Sequence, residues 1–268
     1  MMAAMRVTFL GTGTSHGIPM IGCDCAVCRS DNPRNKRLRP SVYIEDNGQC
    51  VLVDATPDFR TQALRANLRR VDAVLMTHTH ADHMFGLDDL RSFGERTGRK
   101  MPVYGSPHSV ETILRTFPYA CTETPAWPGL PSFELHMLQP HQELALGGMK
   151  VHVLPLMHGK MTVYGFLFGH EFAYVTDCNV VPKEVVAAIR GVTVLVLDAL
   201  RYREHPSHLT IEQARLLAEQ VDAKLTLFTH LCHEAEHETV ERELPARVRV
   251  AYDEMQIEVT GNEIRHIA

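Results

Sequence analysis

The stretch from Thr77 to His83, THTHADH, places three histidines and one aspartate within seven residues. The flanking segments are not histidine-rich, so this is not a histidine tract. Divalent metals of the zinc, manganese and iron class favour such imidazole and carboxylate ligands. The preceding AVLMTH predicts a buried strand that ends at His78, and the following MFGLDDLRSFGE predicts a helix. A tight turn between them would let these side chains converge on metal ions, whereas solvated loop histidines are the simpler alternative.

Composition limits the class of protein. The 268 residues are 45% hydrophobic and 22% charged, which predicts one globular domain over residues 1–268. The net charge of −5 provides no global basic field for nucleic acid or an anionic membrane. The N-terminal segment lacks a signal-peptide pattern, and no run approaches the roughly eighteen apolar residues of a membrane helix. We therefore expect a cytoplasmic protein whose seven cysteines are metal ligands or buried thiols rather than disulfides.

Short β-like runs alternate with helical patterns along the chain, which predicts a mixed α/β fold with early antiparallel hairpins and later helix crossovers. TPDFRTQALRANL predicts a helix with Thr56 as N-cap and Pro57 in the first position. LTIEQARLLAEQV predicts another helix, with Leu216, Leu217 and Val221 on one apolar stripe. The proline-rich segment 120–133 predicts a long surface loop.

The H-x-H-x-D-H pattern after a predicted strand resembles the signature of the metallo-β-lactamase superfamily. The resemblance implies an αββα sandwich, in which two mixed β-sheets are flanked by helices and two metals lie at the edge where the strands end. Further ligands are then expected downstream, each at a strand end. Three residues fit: His158 in VHVLPLMHG, Asp177 in FAYVTDCN and His230 in LTLFTHLCH.

The ligand set implied by the resemblance is His78, His80 and His158 on one metal, Asp82, His83 and His230 on the other, and Asp177 as the bridge. Asp198 ends the strand TVLVLD as plausibly as Asp177 ends its own strand. Asp177 is preferred because it follows His158 by one hairpin, and Asp198 becomes a candidate for orienting a ligand. Asp54, which closes CVLVDA, resembles the family's first aspartate, which orients a metal ligand. A carboxylate at a helix entry is the alternative role for Asp54.

The segment GCDCAVC, within residues 22–28, holds Cys23, Cys25 and Cys28 in a C-x-C-x-x-C pattern. Three thiolates at this spacing suit a tetrahedral structural zinc, which needs a fourth ligand. His233 is the predicted fourth ligand because it follows His230 by three residues, and Cys232 is the rival. Three buried free thiols are the alternative to a zinc site.

The N-terminal LGTGTSHGIPMIGCDCAVC together with THLCH closely resembles the PhnP branch of the superfamily. That branch comprises phosphodiesterases of phosphonate catabolism that hydrolyse 5-phosphoribosyl 1,2-cyclic phosphate and open nucleoside 2′,3′-cyclic phosphates. The resemblance implies that a hydroxide held by two divalent metals, Mn²⁺ or Zn²⁺, attacks the phosphorus, with Asp82 and Asp177 in the catalytic set. One structural Zn²⁺ would be held separately. The expected partner is a small phosphodiester, and a homodimer is compatible with the sequence.

The family also implies a histidine that protonates the leaving oxygen. His208 in REHPSHLTIEQA fits that role at a helix entry, and His205 lies three residues earlier. A surface histidine near an N-cap is the alternative. Lys160, Arg91 and Arg201 are candidate contacts for the substrate's anionic oxygens, although solvated charges are the default for such side chains.

Three other functions stay open at this point. A tRNA 3′-end endonuclease would share the metal ligands and proton donor, but no basic insertion resembling a tRNA-gripping arm is evident, and the net charge disfavours nucleic acid. A PqqB-like protein of cofactor biosynthesis also carries C-x-C-x-x-C near its start. A non-catalytic metal-binding protein is the third alternative, although no metal ligand is missing here.

Overall fold

Two mixed β-sheets face each other in the computed structural model, which describes residues 4–123 and 129–267. The first sheet has the order β15-β14-β1-β2-β3-β4-β5-β6. Its strands are β1 Met5–Gly11, β2 Ser41–Asp46, β3 Gln49–Val53, β4 Ala73–Leu75, β5 Met101–Gly105, β6 Phe133–Met137, β14 Gln256–Thr260 and β15 Glu263–His266.

The second sheet has the order β13-β12-β11-β10-β9-β8-β7. Its strands are β7 Glu143–Leu146, β8 Met149–His158, β9 Met161–Phe168, β10 Phe172–Val175, β11 Val194–Asp198, β12 Leu225–Thr229 and β13 Val248–Val250. Antiparallel hairpins build β7 to β10, and parallel crossovers add β11 to β13.

Helices cover the outer faces of both sheets. They are α1 Ala26–Arg29, α2 Phe59–Arg65, α3 Ala81–Met84, α4 Arg91–Thr97, α5 Pro107–Thr116, α6 Lys183–Ile189, α7 Ile211–Val221 and α8 His237–Glu243. Short 3₁₀ turns occur at Pro33–Asn35, Leu87–Leu90 and Pro118–Ala120. The result is the αββα sandwich that the resemblance implies.

Alternation along single strands divides the apolar residues between layers. In β10, Phe172 and Tyr174 join the cluster between the sheets, while Ala173 and Val175 join the cluster under α6 and α7. A third cluster packs the first sheet against α2, α4 and α5. Because β10 is covered on both faces, its sequence is a continuous apolar run rather than an alternating one.

The carboxyl ends of several strands meet at one edge of the sandwich. β3 and β4 are parallel and lead into Asp54 and Thr77. β10, β11 and β12 are parallel in the other sheet and lead into Asp177, Asp198 and His230. Polar residues at the ends of parallel strands are thereby concentrated at one edge, as in open α/β sheets.

The structure corrects several details of the predicted helices. The first predicted helix begins at Phe59 rather than Pro57, because the Thr56 hydroxyl accepts from the Asp58 N–H in a turn that precedes it. In α7, Leu216 is 44% exposed, and the buried stripe is formed by Ile211, Ala214, Ala218 and Val221. Thr210 caps this helix in a capping box with Gln213.

The segment after the histidine motif is not one helix but α3, a 3₁₀ turn and α4 in succession. Strands β6, β7, β13 and β15 do not correspond to β-like runs identified in the sequence. Within the predicted loop 120–133, residues 124–128 lie outside the described residues, and Phe133 already begins β6. Among the described residues, the structure contains no helix of the length and apolar character needed to span a bilayer.

Candidate metal centres

The first group of candidate metal ligands is formed by His78, His80 and His158. His78 and His80 follow β4, and His158 is the last residue of β8 in the other sheet. His78 Nε2 and His80 Nδ1 are 2.9 Å apart. Ligand atoms bound at right angles to one metal at 2.0–2.1 Å lie about 2.9 Å apart, so the spacing fits a shared ion.

The second group is formed by Asp82, His83, Asp177 and His230. His83 Nε2 lies 3.4 Å from both Asp82 Oδ2 and Asp177 Oδ1, and His230 Nε2 lies 3.2 Å from Asp177 Oδ1. Tetrahedral ligands at 2.0–2.1 Å lie about 3.3–3.4 Å apart. Both Nε2 atoms are buried without a hydrogen-bond partner, which is costly unless a cation binds there. These donors fit a divalent metal.

The two groups together, called the histidine–aspartate cluster, are joined through Asp177. A carboxylate oxygen of Asp177 lies within 4.8 Å of a ring nitrogen of His158, and Asp177 also belongs to the second group. The structure thus brings together all seven ligands that the resemblance implies.

Hydrogen bonds fix which ring nitrogen faces the cluster in three of its histidines. His83 Nδ1 donates to Asp54 Oδ2 at 2.7 Å, and His158 Nδ1 donates to the Ser207 carbonyl at 2.9 Å. His78 Nδ1 lies 3.0 Å from the Thr77 hydroxyl. Nε2 is consequently left for a metal in each ring, which is the usual way that supporting groups orient metal-bound histidines.

Asp54 supports the cluster from beneath. It is fully buried, and it accepts from the Thr77 N–H at 2.8 Å and from the Thr77 hydroxyl at 2.6 Å in addition to His83. Burial raises its pKa, and the contact with His83 opposes that rise. Asp54 is therefore placed to orient the His83 ring, and Thr77, which begins the motif but was not expected to take part, holds the Asp54 carboxylate.

Three residues of the site have left-handed backbone conformations. The φ angles of Asp54, Asp177 and His230 are +61°, +53° and +62°. Each costs on the order of 1 kcal/mol for a residue other than glycine. Asp54 and His230 directly follow the ends of β3 and β12, and Asp177 lies two residues after the end of β10, so each of these strained residues lies at the edge of the sandwich.

Burial and neighbouring charges shift the pKa values of several residues in the cluster. Although burial favours the neutral ring, Asp177, Asp54 and Asp82 raise the pKa of His83 well above its usual range. Burial, with the neighbouring His83, lowers the pKa of His78. Burial acts against ionisation of Asp177, but His230 and His83 hold its pKa well below the usual range. A divalent metal bound by His83 Nε2 would supply positive charge among these carboxylates in place of a proton.

His208 lies at the same edge and is held by Asp198. Its Nδ1 donates to Asp198 Oδ2 at 3.0 Å, and its ring lies 4.7 Å from the rings of both His158 and His230. Burial lowers its pKa, but Asp198 outweighs burial and raises the pKa to about 9. The predicted proton donor is therefore cationic at neutral pH, with Nε2 as its remaining donor.

The position of Asp198 bears on the choice of bridging carboxylate. Asp198 Oδ2 also accepts from the Cys178 and Leu209 N–H groups, and Oδ1 lies 3.7 Å from His230 Nδ1. It could join His208 and His230 around an ion. However, its contacts are with the Nδ1 atoms of these rings, whereas Asp177 lies by the Nε2 atom of His230. The geometry favours Asp177 as the bridge and Asp198 as a support.

The candidate phosphate contacts differ in their surroundings. Arg91 forms an ion pair with Asp88 and donates to the Gly129 carbonyl. Arg201 Nη1 lies 3.4 Å from Glu234 Oε1, and the guanidinium group also donates to the carbonyls of Arg203 and Glu204. Lys160 is exposed and forms no ion pair among the described residues. Lys160 is therefore the candidate with a charge that is not already engaged.

A separate group of donors, the cysteine cluster, consists of Cys23, Cys25, Cys28 and His233. His233 Nδ1 lies 3.2 Å from Cys23 Sγ and 3.4 Å from Cys25 Sγ. Sulfur and nitrogen ligands of a tetrahedral zinc lie about 3.5 Å apart. Cys232, the rival ligand, instead accepts from the Glu234 N–H and lies outside the group.

The pKa values of two of these thiols are shifted in opposite directions. A hydrogen bond from the Cys28 N–H, against the effect of burial, lowers the pKa of Cys25 to about 6, whereas burial raises the pKa of Cys28 to about 11. Since zinc binds thiolates, a metal here would have to remove the proton of Cys28. The donor set fits a closed tetrahedral zinc site with no position left for water.

A short contact connects the two clusters. Gly13 pairs with Leu231 in a parallel bridge, and the Thr14 N–H donates to the Leu231 carbonyl at 3.2 Å. Leu231 immediately follows His230 and lies two residues before His233. The N-terminal loop that carries the cysteines is thus attached to the strand end that supplies a ligand of the histidine–aspartate cluster.

Comparison with known proteins relates this arrangement to a family. A family model described as the beta-lactamase superfamily domain matches residues 49–231, which include all seven ligands of the histidine–aspartate cluster but no member of the cysteine cluster. A crystal structure described as a new diphosphatase from the PhnP family is 39% identical, with a TM-score of 0.90 and complete coverage of both chains. The chain belongs to the PhnP family of the beta-lactamase superfamily. It is a metal-dependent hydrolase.

The chain is also similar to two curated proteins. The chain is 37% identical over 264 residues to an octanoyltransferase of Porphyromonas gingivalis, covering 97% of this chain and 53% of that protein. It is 31% identical over 159 residues to ribonuclease Z of Bradyrhizobium sp., covering 58% of this chain and 50% of that protein. The chain thus spans about half the length of each of these relatives.

Proposed function

We propose that this PhnP-family hydrolase is a phosphodiesterase that opens cyclic phosphate esters, such as 5-phosphoribosyl 1,2-cyclic phosphate or nucleoside 2′,3′-cyclic phosphates. The observation that carries the proposal is the position of His208, with a free Nε2 donor, directly beside two metal-ligand groups joined by Asp177. A hydrolase that expels an alkoxide needs both electrophilic assistance at phosphorus and a proton for the leaving oxygen.

Each residue then has a defined task. The seven ligands would hold two divalent metals, Mn²⁺ or Zn²⁺, which supply an activated water and neutralise charge on the phosphoryl oxygens. Asp54 and Thr77 keep His83 oriented through hydrogen bonds that a shifted ring would lose. Asp198 keeps Nδ1 of His208 occupied, so Nε2 delivers the proton to the departing ribose oxygen.

The cysteine cluster has a different task in this proposal. Four protein ligands close a tetrahedral zinc site, so its metal would be structural. The zinc would fasten the loop of Cys23, Cys25 and Cys28 to the segment that begins with His230. Its contribution to hydrolysis is therefore indirect.

A second candidate function is hydrolysis of a phosphoanhydride, because the solved relative with 39% identity is described as a diphosphatase. The same donors serve both reactions, since each expels an oxygen from a phosphoryl group. They differ in the need for His208, because a phosphate leaves far more readily than a sugar alkoxide. The relationship to ribonuclease Z makes a tRNA 3′ end the third substrate to test.

A parallel substrate panel tests these alternatives. Metal-reconstituted protein is assayed on 2′,3′-cyclic AMP, 3′,5′-cyclic AMP, bis(p-nitrophenyl) phosphate, a nucleoside diphosphate, a tRNA precursor and a β-lactam. The proposal expects 2′,3′-cyclic AMP to have the highest kcat/KM among the natural substrates. Preference for the diphosphate or the tRNA would replace the proposal, and metal binding without turnover of any phosphoester would leave a non-catalytic protein.

A further inference from the structure

A second histidine, His205, lies beside the candidate proton donor and has no task in the reaction proposed above. Its ring centroid is 5.0 Å from that of His208, and the residue is only partly buried. The loop that carries both histidines also supplies the Ser207 carbonyl, which accepts from His158. His205 is therefore fixed to the same short segment that orients a metal ligand.

The hydrogen bonds of His205 determine its tautomer. The Ser207 N–H donates to His205 Nδ1 at 3.3 Å, and the Ser207 hydroxyl lies 3.3 Å from the same atom. A backbone N–H can only donate, so Nδ1 must be the acceptor and the proton must reside on Nε2. Among the described residues, no hydrogen bond to His205 Nε2 is formed. Nε2 is thus a donor without an internal acceptor, adjacent to the leaving-group side of the site.

A cation lies on the neighbouring turn. A side-chain atom added to Gly159 would lie 3.5 Å from Ser207 Cβ, so the turn between β8 and β9 packs directly on the His205 loop. Lys160 is the next residue of that turn, exposed and without an ion pair in the described ranges. The nearby Arg201, in contrast, is occupied by Glu234 and two backbone carbonyls.

We propose that His205, oriented by Ser207, is a specificity-determining residue that binds an anionic group on the leaving-group portion of the substrate, assisted by Lys160. This inference rests on the proposed function and refines it. His208 protonates the leaving oxygen, so the adjacent His205 and Lys160 lie where the rest of the leaving group must extend. A phosphate monoester at that place accepts from the neutral Nε2–H and pairs with the ammonium group.

The test compares two substrates with the same reacting ring. One is adenosine 2′,3′-cyclic phosphate, and the other is its 5′-phosphorylated form. Wild-type holoenzyme should favour the 5′-phosphorylated compound in kcat/KM. His205→Ala should lower that preference about tenfold or more, chiefly through KM, as expected for loss of a charge-assisted hydrogen bond. His205→Gln, whose amide nitrogen can replace Nε2–H, should retain much of the preference.

Matched controls separate recognition from general damage. Lys160→Met should lower the preference as His205→Ala does, whereas His170→Ala and Lys150→Met, at exposed positions near the opposite end of β9 and β8, should keep the wild-type ratio. Equal use of both substrates by wild type, or an unchanged ratio in His205→Ala, overturns this inference alone. Failure of wild type to open either ring overturns the proposed function and this inference with it.

Discussion

The histidine–aspartate cluster and the cysteine cluster are supported in opposite ways. The ligands of the first extend from strand ends in both sheets and are held by buried groups such as Asp54 and Asp198. The cysteine cluster lies on a loop whose apolar packing involves only Ile18, Val27 and Cys28 as buried members among the described residues. The sandwich thus holds the first set of donors in place through its own core, whereas the loop of the cysteine cluster has little core of its own and would gain more stability from a bound metal.

This difference predicts two kinds of metal site on one fold. Preorganised donors of this kind would hold a metal without rearrangement of the fold, which suits catalysis. A metal bound by thiolates on a weakly packed loop would stabilise the folded form of that loop, so its binding free energy would contribute to the free energy of folding. Substitutions in the two clusters should accordingly affect different quantities, catalysis in the first and stability in the second.

Replacement of the bridging carboxylate should have the largest effect. Asp177→Asn should lower occupancy of the active-site metals and reduce hydrolysis of bis(p-nitrophenyl) phosphate by about a hundred-fold or more, because the substitution removes the charge shared by both ligand groups. Metal content by mass spectrometry and steady-state rates measure this. Asp198→Asn should retain the metals. The assignment is wrong if Asp198→Asn loses the metals and Asp177→Asn keeps them.

His208→Ala should retain both active-site metals and lose about a hundred-fold in turnover of 2′,3′-cyclic AMP, as is typical for removal of a general acid. The loss should be much smaller with bis(p-nitrophenyl) phosphate, because p-nitrophenolate hardly needs a proton. The two rate ratios are compared at equal metal content. Equal losses on both substrates would remove His208 from the role of proton donor.

Asp54→Asn should weaken metal affinity by about ten- to a hundred-fold while leaving the ligands themselves in place. The amide can present its NH₂ group to His83, which disturbs the tautomer that leaves Nε2 for the metal. Titration of metal-free protein with Mn²⁺, followed by activity, measures the change. Asp46→Asn, in the hairpin between β2 and β3, is the matched control, and an equal loss there would refute the orienting role.

Cys28→Ser should have the smallest effect on hydrolysis and a clear effect on stability. Loss of a structural zinc ligand should lower Tm by on the order of 5–10 °C while the active-site metals remain. Wild type should contain about three metals per chain, two readily chelated and one resistant. Cys121→Ser is the control. Two metals in wild type, or loss of the active-site pair with unchanged Tm, would refute a structural zinc.

The sequence predicts the site better than it predicts the helices. Ligands at strand ends are predictable because a buried apolar run fixes where the strand stops, and the next polar residue must lie at the edge. Supporting groups such as the Thr77 hydroxyl and the Ser207 carbonyl cannot be predicted in this way, because hydroxyl and backbone carbonyl groups occur throughout the sequence without a distinctive spacing. Likewise, the engagement of Arg201 with Glu234 depends on tertiary contacts that spacing does not encode.

The stripe of α7 illustrates the same limit in the fold. Leu216 has the apolar character expected of a core residue, yet the helix packs through the small side chains of Ala214 and Ala218, and Leu216 faces solvent. Small residues permit close approach of a helix to a sheet. Hydrophobicity alone therefore placed Leu216 wrongly on the buried face, whereas Val221 and the partly buried Leu217 do pack against the core, as predicted.

The contact between Cys23 and His233 joins residues that are 210 positions apart. During synthesis, the three cysteines are made early, and most of the chain must follow before their histidine partner is made. Contacts of such separation form late, because the entropy of closing the loop must be overcome first. Binding of a zinc by all four donors would therefore require a folded chain, and a nascent or truncated chain would carry the three thiols without their histidine partner.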